Sequence, residues 1–276
     1  MGSSSFWCCG AGAENGWNDR TMKPAPPHAR SDPELLEANR RFYDPLWTDA
    51  RLVEPERFNT WPLVSSLLSP SRLRLEVGPG LRPRLPLAGT HFVDASVPAV
   101  AKLRAGGADA VLGLASSLPF SDGAFHLVCA LDILEHVDDD ESVLGELSRV
   151  AAPGAALLLS VPLHPLHWTA FDDFVGHCRR YEPGRLVVKL ADHGYSVEQS
   201  AVYGMMPESS TLRDLGMWFL THRRKRAMWW YSHVFMPLAV RFQEKLTLAP
   251  GMIATDKVDE ILLVCRKDRA PASPHP

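Results

Sequence analysis

Past residue 70 the chain alternates between two textures. Short runs are apolar nearly throughout, and longer stretches repeat apolar positions every three or four residues. Leu73–Val77, His91–Val93, Ala110–Leu114, His126–Leu131 and Ala156–Val161 are of the first kind. They read as strands buried on both faces, as in a parallel sheet. Pro98–Ala105, Asp139–Val150 and Glu182–His193 are of the second kind. Val143, Leu144, Leu147 and Val150 share one helical face, and Gly194 closes the third helix. Tyr195–Tyr203 and Glu260–Cys265 supply the last strands. Strands that alternate with helices predict a doubly wound α/β fold. Its sheet has seven strands, mostly parallel, joined by right-handed crossovers.

Breaks in this rhythm divide the chain. Residues 1–30 are rich in Gly, Ser, Ala and Pro and read as a disordered tail. Ser31-Asp32-Pro33-Glu34 starts a helix expected to reach about Tyr43. With a second helix over Pro55–Leu68 it forms an N-terminal cap across residues 31–70, with apolar Phe42, Leu46, Trp47, Phe58, Trp61 and Leu67. The α/β core occupies residues 71–204 and ends with a last strand within 257–268. Residues 269–276 form a second tail. Between them, residues 205–256 are far too many for a hairpin. Leu212–Thr221 and Ala227–Leu246 have helical spacing there, so the segment reads as a helical insertion before the last strand.

Composition narrows the function classes. The net charge of −3 gives no global reason to bind nucleic acid. Five cysteines without a C-x-x-C spacing fit free thiols in a reducing, cytoplasmic setting, not a disulfide framework or zinc site. No apolar run is long enough to span a membrane. Met1-Gly2 resembles a myristoylation start, but Phe6 stands where Ser or Thr is needed; Cys8 and Cys9 leave palmitoylation open.

Four segments carry the chemistry. Glu76-Val77-Gly78-Pro79-Gly80 ends the first strand in a turn that lets a ligand approach the backbone. Phe92-Val93-Asp94 ends the second in a carboxylate that either holds ribose hydroxyls or caps the helix after Ser96. Gly113-Leu114-Ala115-Ser116 opens a loop running through Leu118-Pro119-Phe120-Ser121-Asp122-Gly123-Ala124-Phe125. Leu131-Asp132-Ile133-Leu134-Glu135-His136-Val137 follows the fourth strand.

In this order, with Ala152-Pro153-Gly154 leading into the fifth strand, these segments resemble class I S-adenosylmethionine-dependent methyltransferases. They resemble especially the group typified by ubiquinone and menaquinone biosynthesis, over about residues 73–200. The resemblance implies a Rossmann-like core and S-adenosylmethionine as cofactor. It implies that Glu76 orients the glycine turn and faces the methionine amino group, that Gly78, Pro79 and Gly80 let backbone approach, and that Asp94 holds the ribose. Ala95, Leu114, Ala115 and Ser116 would border the adenine, and Leu131 and Asp132 the methyl group. Two departures stand out: Leu114 replaces a common Asp, and Leu81-Arg82-Pro83-Arg84-Leu85-Pro86 disfavours a regular first crossover helix.

Methyl transfer needs alignment and water exclusion more than a catalytic triad. Acceptor candidates cluster on the expected loop after the fifth strand: His164, His167, His177 and Tyr181, with Trp218 from the insertion. His177 is the candidate base or acceptor-orienting group. His136 is either a second such group or structural. His164 and His167 lack a complete ligand set, so no metal is expected. The insertion is rich in Met and aromatics beside His222-Arg223-Arg224-Lys225-Arg226. It is a lid, a wall for an apolar acceptor, or a peripheral membrane contact. The expected partner is a small hydrophobic or amphipathic acceptor. Two alternatives remain: a non-catalytic binding module, and an NAD(P)-dependent oxidoreductase, for which the third glycine is missing.

Overall fold

A computed structural model describes residues 43–69, 72–204 and 210–269. The tail over residues 1–30, most of the first cap helix, Met205 and Met206, and all but the first residue of the second tail lie outside the described residues.

The sheet has eight strands: β1 (Arg74–Val77), β2 (Thr90–Asp94), β3 (Asp109–Leu112), β4 (Phe125–Leu131), β5 (Ala151–Pro162), β6 (Tyr195–Val202), β7 (Ala249–Pro250) and β8 (Glu260–Lys267). Their order is β3-β2-β1-β4-β5-β8-β6-β7. The first five are mutually parallel, while β8 runs antiparallel to both neighbours. The strand beyond the seven expected is β7, a two-residue edge piece. It ends in Pro250, a residue suited to an edge because it has no N–H to donate.

Alternation along the strands accounts for the two-sided core. Val128, Ala130, Leu157, Leu159, Ile261 and Leu263 face one way, onto α4 (Asp140–Val150) and α6 (Pro183–Asp192). Leu127, Cys129, Ala156, Leu158, Leu262 and Val264 face the other way, onto α2 (Trp61–Leu67). Both sets are buried, which is why these strands read as continuous apolar runs. α3 (Val97–Ala105) closes Phe92 and Ala110.

Several elements differ from expectation. The first cap helix, expected to end near Tyr43, is described only as α1, which covers 43–49. The second breaks into a 3-10 turn over Pro55–Arg57 and then α2, which restarts with Pro62 in its first turn. The first crossover holds no helix, and Leu81 and Leu85 are buried in its place. β5 begins at Ala151 and not at Ala156. Its register slips between the Phe125–Ala151 and Leu127–Ala156 pairs, where Gly154 adopts φ 75°.

The segment after β5 contains α5 (Ala170–Val175), closed at its start by a reciprocal Thr169–Asp172 capping box and at its end by left-handed Gly176. The insertion comprises α7 (Ser210–His222), α8 (Arg224–Trp230) and α9 (Met236–Arg241). The helix expected over Ala227–Leu246 widens to a π turn at Tyr231–Phe235 and stops at Arg241. Pro237 removes one N–H from the ladder there, and a wider turn is one way to accommodate that loss.

Candidate functional site

The parallel strands end along one edge of the sheet, and a cavity opens across those ends. Its floor is the turn after β1. Gly78 has φ 65° and Gly80 has φ 55°. A Cβ on Gly78 would meet the Ile133 side chain at 2.1 Å, and one on Gly80 would meet the Trp47 ring at 2.3 Å. Gly78 and Pro79 line the cavity. Gly80 lies behind the wall and works through its N–H, which donates to Asp94 Oδ2 at 2.8 Å.

Asp94 lies at the end of β2 and is buried, yet it lines the cavity. Its Oδ1 accepts from Ser96 N at 2.8 Å. The helix cap itself is Ser96, whose hydroxyl accepts from Ala99 N. Each Asp94 oxygen therefore has one backbone donor and keeps a lone pair for a ligand. Burial raises its pKa to about 6, against the pull of the two backbone donors, with Asp44 adding like charge.

Glu76 does the work of the missing crossover helix. Its carboxylate accepts from Arg84 N at 2.8 and 3.0 Å and from Leu85 N at 2.8 Å, which ties the 81–85 loop beneath the sheet. Burial raises this carboxyl to about 7. Ala95, Leu114, Ala115 and Ser116 form one flank of the cavity, and Leu131 and Asp132 the other. Asp132 has φ 55°. Its N–H donates to Ser160 Oγ at 3.0 Å, and the Ser160 hydroxyl donates back to its carboxylate. Glu260, next to Asp132 on β8, is pushed well above the usual carboxylate range, chiefly by burial and then by that neighbour.

The acceptor-side residues are dispersed. His136 lines the cavity, whereas His177 does not. His177 stands behind it, ring to ring at 4.7 Å, with Nδ1 2.8 Å from Asp172. Asp172 is buried and is gripped by Arg180 through Nε at 2.9 Å and Nη2 at 3.1 Å. The result is a line from Arg180 through Asp172 and His177 to His136 at the cavity. Burial and the adjacent His177 lower His136 to about 4, so its imidazole is neutral near pH 7.

The four expected substrate contacts lie elsewhere. His164 Nε2 is 2.7 Å from Thr255 O, and His167 Nδ1 is 2.8 Å from Asp259. Tyr181 is a core residue whose hydroxyl donates to Asp140 at 2.8 Å. Trp218 is 53% exposed and stacks on His222. None of the four lines the cavity. The loop bends away after Leu163, which pairs with Tyr181 in an isolated bridge.

Sequence reasoning passed over Tyr43, Trp47 and Arg82, which line the cavity. The Tyr43 hydroxyl reaches His136 Nε2 at 2.9 Å. The Arg82 guanidinium lies 5.5 Å from the Trp47 ring centroid. Tyr43 and Trp47 occupy successive turns of α1, so their i, i+4 spacing and aromatic character were the available signal. Among the described residues, Glu135, His136 and His177 offer ligand atoms within 4.8 Å of one another. That donor set suits a divalent cation, but Tyr43 and Asp172 already engage the two imidazoles.

A glycine turn after β1, an acid after β2 and an antiparallel strand inserted between β5 and β6 define a Rossmann-like domain. Residues 76–159 match the family described as methyltransferase domain. Over 48 residues the chain is 46% identical to norajmaline N-methyltransferase of Rauvolfia serpentina, which is 17% of this chain and 16% of that protein. The chain thus spans about a sixth of the curated relatives' length in these matches. A SAM-dependent methyltransferase of Thermotoga maritima superposes with a TM-score of 0.51 at 14% identity, covering 86% of this chain and 94% of that one. Phosphoethanolamine N-methyltransferase 2 of Haemonchus contortus does so with a TM-score of 0.50 at 13% identity, covering 85% and 57%. At these identities the two structures speak to the fold.

Proposed function

We propose that the chain is a methyltransferase that uses S-adenosylmethionine to methylate a small hydrophobic or amphipathic acceptor. One observation carries the reading: a single cavity brings together the Gly78-Pro79 turn, the Asp94 carboxylate and the 114–116 and 131–132 segments. This set fits the donor molecule. Two lone pairs on Asp94 match two ribose hydroxyls. Apolar Leu114 and Ala115 suit an adenine face. Arg82 supplies a cation for the methionine carboxylate, and the Asp132 carboxylate favours the ammonium and sulfonium charges. The phosphate-free donor does not need the N-terminal helix turn that the 81–86 segment lacks.

When bound, the donor supplies an activated methyl group. The protein's own residues then align the acceptor and exclude water. Tyr43 and His136 stand at the acceptor end. Neutral His136 can orient an acceptor hydroxyl or amine by a hydrogen bond. His177 is a positioning residue that, held by Asp172, fixes the His136 ring. Buried free Cys129 and Cys265 suit a reducing, cytoplasmic setting.

Native mass spectrometry of the purified chain tests the reading. We expect retained S-adenosylmethionine or its demethylated product, displaced by added S-adenosylhomocysteine. A chain that binds neither and instead takes NAD(P) would overturn it.

A further inference from the structure

The inner and outer sides of the insertion differ in how they are satisfied. Ala227, Met228, Ser232 and Met236 are buried at helical spacing, and Met228 packs with Trp47 and Leu81 beside the cavity. The opposite side stays apolar without cover. Leu215, Trp218, Trp229, Trp230, Phe235 and Phe242 are all exposed, Trp229 at 53% and Phe242 at 77%. α7 buries none of its described side chains. This exceeds the scattered apolar residues normal on a surface.

Charge identifies the missing partner. From Leu215 to Gln243 the sequence contains no Asp or Glu, but it contains Arg223, Arg224, Lys225, Arg226 and Arg241. This cationic island sits in a chain of net charge −3. Tryptophan rings suit the headgroup boundary of a bilayer, and basic residues flanking an apolar helical face suit anionic headgroups. Among the described residues no helix is long and apolar enough to cross a membrane, so contact would be with one leaflet.

We propose that the outer face of α7–α9 docks on an anionic lipid surface. Docking stands without methyl transfer. Where the preceding reading also holds, the docked face brings a lipid-borne amphipathic acceptor beside Met228, which packs on the cavity-lining Trp47.

The full chain is sedimented with vesicles of phosphatidylcholine alone or of phosphatidylcholine and phosphatidylglycerol at 7:3. We expect pelleting with the anionic vesicles, little with the neutral ones, and release as salt is raised. Arg223→Gln, Lys225→Gln and Arg226→Gln together should lower partitioning on the order of 100-fold. Trp229→Ala with Trp230→Ala should abolish it, while circular dichroism and the thermal melt keep the wild-type form. Equal pelleting on both vesicles, or none on either, overturns the proposal. So does a wild-type dimer in analytical ultracentrifugation that the tryptophan pair converts to monomer, since the face would then meet a second copy. Cofactor binding by calorimetry is read separately and decides only the catalytic reading.

Discussion

The cavity edge of the sheet and the insertion beside it are built on opposite principles. At the cavity, polar groups are tied within the protein: Glu76 holds the 81–85 loop, Asp94 holds Gly80 and Ser96, and Asp132 and Ser160 hold each other. Such groups keep their geometry before any ligand arrives, which is what preorganised recognition requires. The insertion instead leaves apolar rings facing water and gathers cations along a stretch of sequence that contains no Asp or Glu. The first region is finished by the chain itself. The second, among the described residues, is left open to a partner.

The largest effects should fall where backbone geometry admits no alternative. Gly78→Val places a β-branched residue at φ 65°, with Ile133 in the way. We expect no detectable S-adenosylmethionine binding by calorimetry from a protein that still expresses. Retained affinity would mean that the turn is not the ligand floor. Next comes Asp94→Ala. Two hydroxyl hydrogen bonds to a charged acceptor contribute about 1.5–3 kcal/mol each. Affinity should therefore fall by about 100-fold or more. A paired melt is needed, because the same change orphans the N–H groups of Gly80 and Ser96.

This contrast also explains what the sequence disclosed. Asp94, Gly78 and the 114–116 segment were legible because strand ends are marked by local chemistry: an apolar run, then glycine or acid. Tyr43 and Arg82 were not. Tyr43 reaches His136 across 93 positions of sequence, and no local pattern encodes such a contact. His164, His167 and Tyr181 lie away from the cavity for the same reason. Their residue types suited an acceptor, but the path of the chain after Leu163 decides where they point. The 81–86 segment was read as a shortened or irregular crossover from its prolines, and it holds no helix. That Glu76 replaces the helix as its anchor depends on burial that a linear reading cannot see.

An intermediate effect separates His177 from the cofactor. It lies outside the cavity wall, held by Asp172 and packed against His136. His177→Ala should lower kcat about tenfold or more, within the range that base positioning contributes, with the dissociation constant of S-adenosylmethionine unchanged. A loss confined to cofactor affinity would assign the residue to the donor side. Steady-state kinetics with a broad panel of apolar amines and phenols measures it, and the acidic limb of the pH profile should shift in the variant.

The smallest effect is a matter of proton balance. The Asp94 carboxyl is raised to about 6 by burial, with Ser96 and Gly80 N–H groups opposing the shift. At pH 7 it is mostly ionised and accepts strongly from ribose hydroxyls. As pH falls toward 5 it takes up a proton and loses that charge. Binding that prefers the ionised form should weaken by about tenfold across this window, the ratio of ionised fractions two pH units apart around such a pKa. Calorimetry at pH 7, 6 and 5 gives the slope, and Asp94→Asn should flatten most of it. What persists in Asp94→Asn belongs to Glu76, raised to about 7 by the same burial. Its protonation acts on the 81–85 loop, and Glu76 also lines the cavity. A flat profile in the wild-type chain would place the ribose contact away from Asp94, leaving that carboxylate as a backbone tie alone.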